Sequence, residues 1–220
     1  MTYGEYMKGV VQGEKNILFV NMAWGLGLGI IIDGNLYYGK SGFSGEFGHF
    51  CMFENEVLCH CGKKGCLETE ASGSAFHRIL IERYREGSNT ILAGKLDSGE
   101  EISLGDLLEA VRKEDVLCID ILEKMGVNLG KGIAGLMNIF NPELVILGGT
   151  LSLAGEYISL PIKSAIRKYS LNLVNQDTEI KISKLGERAG AFGACLLSRS
   201  KLLGNDYIIN KTFFSLGHYL

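Results

Sequence analysis

The spacing of apolar positions changes along the chain, and with it the elements it predicts. Residues 16–22 (NILFVNM) and 28–32 (LGIII) are short apolar runs rich in β-branched residues, which predicts two strands. Ala23-Trp24-Gly25-Leu26-Gly27 between them reads as a glycine turn. Asp33-Gly34-Asn35 reads as a hairpin turn into a third strand at Leu36–Tyr38. The chain is therefore expected to open with a small antiparallel meander. Further on, the apolar period lengthens to that of a helix. Ser72 or Ser74 is placed to cap a helix running to about Arg85, and Gly87–Gly99 reads as a loop. Ser103 with Asp106 has the form of a capping box, with Asp in place of Glu. Val116–Phe140 carries a long helical pattern, stopped by Asn141-Pro142. Leu144–Leu147 reads as a buried strand ending in Gly148-Gly149. A helix is expected at Ala154–Tyr169, a strand at Glu179–Leu185 and a closing helix at Arg188–Leu203. The small residues Ala189, Gly190, Ala191, Gly193 and Ala194 of that helix suit close packing on a sheet. Alternating helices and strands in the second half predict crossover units with parallel strands, hence an α/β fold. Residues 1–204 are expected to form one lobe and residues 205–220 an appended tail with no clear period.

Composition narrows the function. With 46% apolar and 21% charged residues in 220, the chain matches a folded protein that can bury a core without disulfides. A net charge of -3 argues against these residues gripping nucleic acid, which calls for a basic face. No apolar run approaches the roughly 18 residues needed to span a bilayer. The opening MTYGEYMKGVVQGEK lacks the pattern of a signal peptide. No membrane partner and a cytoplasmic location are expected. In a reducing compartment, clustered cysteines point to metal rather than to disulfides.

The cluster is Cys59-x-Cys61-x4-Cys66, with Gly62 and Gly65 letting the loop fold tightly enough for three sulfurs to converge. Zinc takes four ligands from Cys and His in tetrahedral geometry. The fourth could be His49, His60 or Cys51. His60 lies between two of the proposed ligands and is expected to point away. His49 is preferred, because the second nitrogen of a ligating imidazole needs a hydrogen-bond partner and a bound hydroxyl would couple metal to ligand. A site closed by four protein ligands is structural. The question is then what the loop 45–68 presents. Glu46 and Glu68 bracket the cluster, and carboxylates suit the hydroxyls of a sugar; the plainer reading makes them solvated loop charges. Cys118 and Cys195 lie in helical patterns and read as core thiols. The plainer reading of Trp24 is an ordinary core or interface aromatic.

The segment GKSGFSGEFGHF…CHCGKKGCLE resembles the signature of the ROK family of bacterial repressors, open reading frames and sugar kinases. Glu46-x-Gly48-His49, the Cys59/Cys61/Cys66 loop and Cys66-Leu67-Glu68 match in order. FNPELVILGG at Phe140–Gly149 and GERAGAFGA at Gly186–Ala194 extend the resemblance over most of the chain. It implies structural zinc on His49, Cys59, Cys61 and Cys66, and sugar hydroxyls on Glu46, His49 and Glu68. It implies a ribonuclease-H-like, actin-like ATPase lobe with the zinc loop inserted, and a homodimer.

The sequence also departs from the family pattern. The kinases of the family carry a phosphate-binding Asp-x-Gly-x-Thr turn and an Asn-Asp pair in a preceding lobe. Neither that turn nor an Asp assignable as the base is found here. Phosphoryl transfer needs nucleophile, base and phosphate clamp together, so this chain alone is not expected to be a competent kinase. Where those kinases have Gly-Thr-Gly, this chain has Ala23-Trp24-Gly25. Three readings stand. The first is the sugar-sensing domain of a ROK-type transcriptional regulator, with DNA contacted through a separate helix-turn-helix. The second is the sugar lobe of an ATP-dependent, glucokinase-like enzyme using ATP and Mg2+, with Gly25, Gly27, Gly148 and Gly149 as candidate nucleotide residues. The third is a remnant or a stand-alone binding module. The first is favoured.

Overall fold

Alternation along β1 (Ile17–Met22) sends Leu18, Val20 and Met22 to one face of a sheet and Ile17 and Phe19 to the other, all buried. This computed structural model, which describes residues 1–203, completes the sheet with β2 (Leu26–Ile32), β3 (Asn35–Leu36), β4 (Leu144–Gly148) and β5 (Glu179–Ile182). The spatial order is β3-β2-β1-β4-β5. β1 and β2 pair antiparallel, as do β2 and β3, whereas β4 pairs parallel with both β1 and β5. The expected meander and the expected parallel second half are both present. β4 is buried along its whole length, because a central parallel strand is covered on both faces.

The helices, in chain order, are α1 (Thr2–Lys8), α2 (Glu68–Ala71), α3 (Gly73–Arg85), α4 (Ala93–Ser98), α5 (Leu104–Arg112), α6 (Val116–Phe140), α7 (Glu156–Tyr169), α8 (Asn172–Asp177) and α9 (Arg188–Leu203). One face of the sheet packs into a core that includes Phe76, Leu107, Leu122, Met125, Leu129, Ile133, Ile158 and Ile162 from α3, α5, α6 and α7. The other face is smaller, with Met1, Tyr6, Val10 and Val11 packed against it. Among the described residues no helix is long and apolar enough to cross a membrane.

Several boundaries differ from the sequence expectation. β2 starts at Leu26, two residues early, and β3 stops at Leu36. β5 ends at Ile182 rather than Leu185, because the buried carboxylate of Glu5 accepts from Ser183 Oγ and from the Leu185 amide. Those donors turn the chain away from the ladder. The expected loop 87–99 contains α4, which Gly99 ends in the left-handed region at φ +72°. α1, α2 and α8 fall where no element was expected. The small-residue face of α9 packs on α1 rather than on the sheet: a Cβ at Gly4 would lie 2.4 Å from the Ala189 carbonyl oxygen. Cys118 is buried as expected, whereas Cys195 is exposed, on a helix whose packing partner is α1. The tail expected at residues 205–220 lies outside the described residues.

Candidate metal centre and ligand site

The loop between β3 and α2 enters and leaves the molecule through two buried anchors, Phe47 and Leu67. Between them the chain folds back on itself. Leu67 N–H donates to the Phe50 carbonyl at 2.9 Å and Met52 N–H to the Gly65 carbonyl at 2.8 Å. A second tight turn closes through Cys59 N–H to the Lys63 carbonyl and Gly62 N–H to the Cys59 carbonyl, at 2.8 and 2.9 Å. Gly62 and Gly65 both lie at positive φ, +83° and +77°. A Cβ at Gly65 would sit 2.1 Å from the Phe53 carbonyl oxygen, so that turn requires glycine.

This fold-back converges four side chains. One ligand atom each from His49, Cys59, Cys61 and Cys66 lies within 4.8 Å of the other three. In a tetrahedral zinc site, with Zn–S about 2.3 Å and Zn–N about 2.0 Å, two sulfurs lie about 3.8 Å apart and sulfur and nitrogen about 3.5 Å apart. Cys61 Sγ and Cys66 Sγ are 3.6 Å apart, and Cys59 Sγ and His49 Nδ1 are 3.5 Å apart. The donor set and its spacing fit such an ion. Burial, and then the neighbouring Cys61 and Cys59 thiols, push the Cys66 thiol up to about 12. A bound cation reverses that pressure by stabilising thiolates. Cys61 is shifted the other way, first by the Lys63 amide that donates to it. Of the other candidates for the fourth ligand, His60 and Cys51 are both exposed and neither belongs to the group.

The candidate sugar residues surround this centre. His49 turns Nδ1 toward Cys59, and its Nε2 lies 3.8 Å from the Glu46 carboxylate. Both side chains reach solvent, at 35% and 59% exposure. Glu68 opens α2. Its Oε2 accepts from the Leu26 amide at 2.9 Å, and its Oε1 lies 4.0 Å from Cys59 Sγ. Glu68 also packs closely on Gly25 and Gly48, whose Cβ positions would fall 3.0 and 3.2 Å from its Oε2. The β1–β2 turn, the Glu46–His49 turn and the cysteine loop thus meet at one carboxylate. Arg78 on α3 donates to the Thr69 carbonyl of α2 at 2.8 Å.

The four candidate nucleotide glycines share one end of the sheet. Gly25 lies in the β1–β2 turn. Gly27 and Gly148 flank Asn21, one from each neighbouring strand. Gly149, at φ +82°, lies against Met22, where a Cβ would fall 2.4 Å from the carbonyl oxygen. Gly148 and Gly149 therefore serve strand packing whatever else they do. The Ala23 and Trp24 carbonyls of the turn accept from the Gly73 and Ser74 amides of α3, at 2.8 and 2.9 Å. Trp24 is half exposed rather than core, with its ring 5.7 Å from the His77 ring.

Two features escaped sequence reasoning. Asn21 Oδ1 is a buried acceptor with no donor among the described residues, and only strand register places it between two glycines. His77 pairs with Trp24 from 53 positions away, which no local pattern marks.

The profile of the ROK family matches residues 1–201. The chain is 36% identical over 191 residues to a glucokinase of Halalkalibacterium halodurans, covering 86% of this chain and 58% of that relative. Among solved structures it is similar to a ROK family transcriptional regulator, described as a homologue of the E. coli MLC protein. That match has 34% identity and a TM-score of 0.81, and covers 90% of this chain and 49% of the other. It is also similar to a ROK family glucokinase from Streptomyces griseus in complex with glucose and AMPPNP. There the identity is 31% and the TM-score 0.79, with coverage of 90% and 65%. The chain thus spans between half and two thirds of the length of these proteins.

Proposed function

Because this chain belongs to the ROK family, we propose that it is the sugar-sensing domain of a ROK-type regulator, with a structural zinc ordering the sugar-binding loop. Zinc on His49 Nδ1, Cys59, Cys61 and Cys66 leaves the hydrogen of His49 on Nε2. The 3.8 Å between Nε2 and Glu46 is too long for a direct hydrogen bond and suits one bridging group. A sugar hydroxyl accepts from Nε2–H and donates to Glu46 there. Glu68 adds a second carboxylate, fixed from one side by the Leu26 amide. The proposal gives these residues a sensing role and no contact with DNA, in keeping with the net charge of -3.

The observation that favours a sensor over an enzyme is Trp24. A rigid turn holds its backbone, and its indole lies beside His77 where the kinase pattern has a small hydroxyl residue. Bulk at that position opposes close approach of phosphates. The second reading, the sugar lobe of a glucokinase-like enzyme, draws on Gly25, Gly148 and Gly149 at the carboxyl end of the parallel strands, a common place for ligands in such sheets. Trp24 is the chain's single tryptophan, so its fluorescence reports on both readings. Glucose and xylose, and separately AMPPNP, are titrated against wild type and His49→Ala. The sensor reading expects a saturable response to a sugar, lost in His49→Ala, and none to AMPPNP. Saturable AMPPNP binding strengthened by sugar would move the assignment to the kinase.

A further inference from the structure

Cys51 is the one cysteine of the loop outside the four-ligand group, yet it directly faces one of its members. Cys51 and Cys66 oppose each other across an isolated antiparallel bridge. The flanking hydrogen bonds, Leu67 N–H to the Phe50 carbonyl and Met52 N–H to the Gly65 carbonyl, make this a non-hydrogen-bonded pair. In such a pair the Cα atoms lie about 4.5 Å apart and both side chains leave on the same side, within the range of about 4.4–6.8 Å that a disulfide spans. Cys51 is exposed and Cys66 buried, so an oxidant in solution meets Cys51 first.

We propose that Cys51 and Cys66 are a modification site: a hydroperoxide joins them in a reversible disulfide that withdraws Cys66 from the metal. The effect on metal rests on the zinc reading above, whereas the pairing itself rests only on the bridge. The Cys51 sulfur takes one oxygen as the O–O bond breaks, giving a sulfenic acid and releasing an alcohol, or water from hydrogen peroxide. The Cys66 sulfur then attacks the Cys51 sulfur. The S–S bond forms, the S–O bond breaks, and the oxygen leaves as water with a proton from the Cys66 thiol or from solvent. Two thiols lose two electrons and the peroxide gains them. With Cys66 spent, three ligands remain, and the loop that carries His49 and Glu68 loses its closure. A thiol reductant restores it by exchange.

The test exposes wild type and Cys51→Ser to hydrogen peroxide and follows zinc release with a chelating dye. Peptide mapping by mass spectrometry without reduction locates any linkage. Wild type is expected to yield a linked Cys51–Cys66 peptide and to release zinc. Dithiothreitol with added zinc should reverse both. Cys51→Ser is expected to release zinc at least ~5-fold more slowly, since the thiol that the peroxide oxidises first is gone. Equal release in both proteins, or a Cys61–Cys66 linkage with Cys51 free, would overturn the proposal. If the untreated protein carries no zinc, the metal reading fails, and the mapping still decides the pairing.

Discussion

At the scale of single residues, Glu68 carries two separable functions. Its Oε2 satisfies the Leu26 amide of a largely buried residue, which ties α2 to the β1–β2 turn. Its charge faces the proposed sugar site. Glu68→Ala leaves that amide without its partner and is expected to cost about 1–2 kcal/mol of stability by urea denaturation. Glu68→Gln keeps an acceptor oxygen and should recover most of that loss, while sugar affinity stays down by about tenfold or more, as for a lost hydrogen bond to a charged group. Equal stability of the two variants would show that the amide is satisfied some other way. The cysteine loop and its bracketing carboxylates were legible in the sequence, because ligand spacing and turn glycines are local signals. The fixed orientation of Glu68 was not. Its partners Leu26 and Gly25 lie more than forty positions away and are brought there by the sheet.

At the scale of elements, local chemistry was readable wherever it decided the outcome. Ser103 Oγ accepts from the Asp106 amide at 3.2 Å, and Asp106 returns a bond from the Ser103 amide at 2.9 Å, completing the expected capping box. Ser103→Ala should lower stability by about 1 kcal/mol, read as a fall in thermal midpoint. Lys95 adds a bond at 2.6 Å to Asp106. That bond first, and the Ser103 donors after it, hold the Asp106 carboxyl down to about 2 from its ordinary 3.8. A carboxyl lower in the folded state stabilises above its ordinary value. The contribution is complete above about pH 4 and fades as pH falls toward 2. Asp106→Asn should flatten the acid limb of stability in that window and leave the neutral limb parallel to wild type. The elements that the sequence hid are those whose support is distant. α1 spans seven residues, and Glu5 pins it to the turn after β5 while α9 covers it. α2 and α8 are too short to show a period. α4 lies among glycines and polar residues that locally favour a loop, and Lys95 ties it to Asp106 at the start of α5.

At the scale of the whole molecule, the sheet and the cysteine loop draw order from different sources. β1 and β4 are buried on both faces, mostly by the helices and by each other rather than by the loop. The loop enters the core at Phe47 and Leu67, and Met52 and Phe53 pack partly against it, while Cys51, Leu58, Cys61, Lys63 and Lys64 are exposed. The distal turn at 60–64, exposed throughout, is held by its backbone bonds and by whatever binds its thiols. A metal there should therefore govern local rather than global stability. Lys63 and Lys64 lie between two proposed ligands, so trypsin reads this directly. Chelation is expected to speed cleavage after these lysines by about tenfold or more, as local opening replaces closure, while far-UV circular dichroism stays nearly constant. Restored zinc should restore protection. Cleavage that ignores chelator would remove the metal from the loop's architecture. A collapse of the circular dichroism signal on chelation would instead make the centre part of the fold's foundation, and the loop could then no longer respond to ligand independently of the sheet.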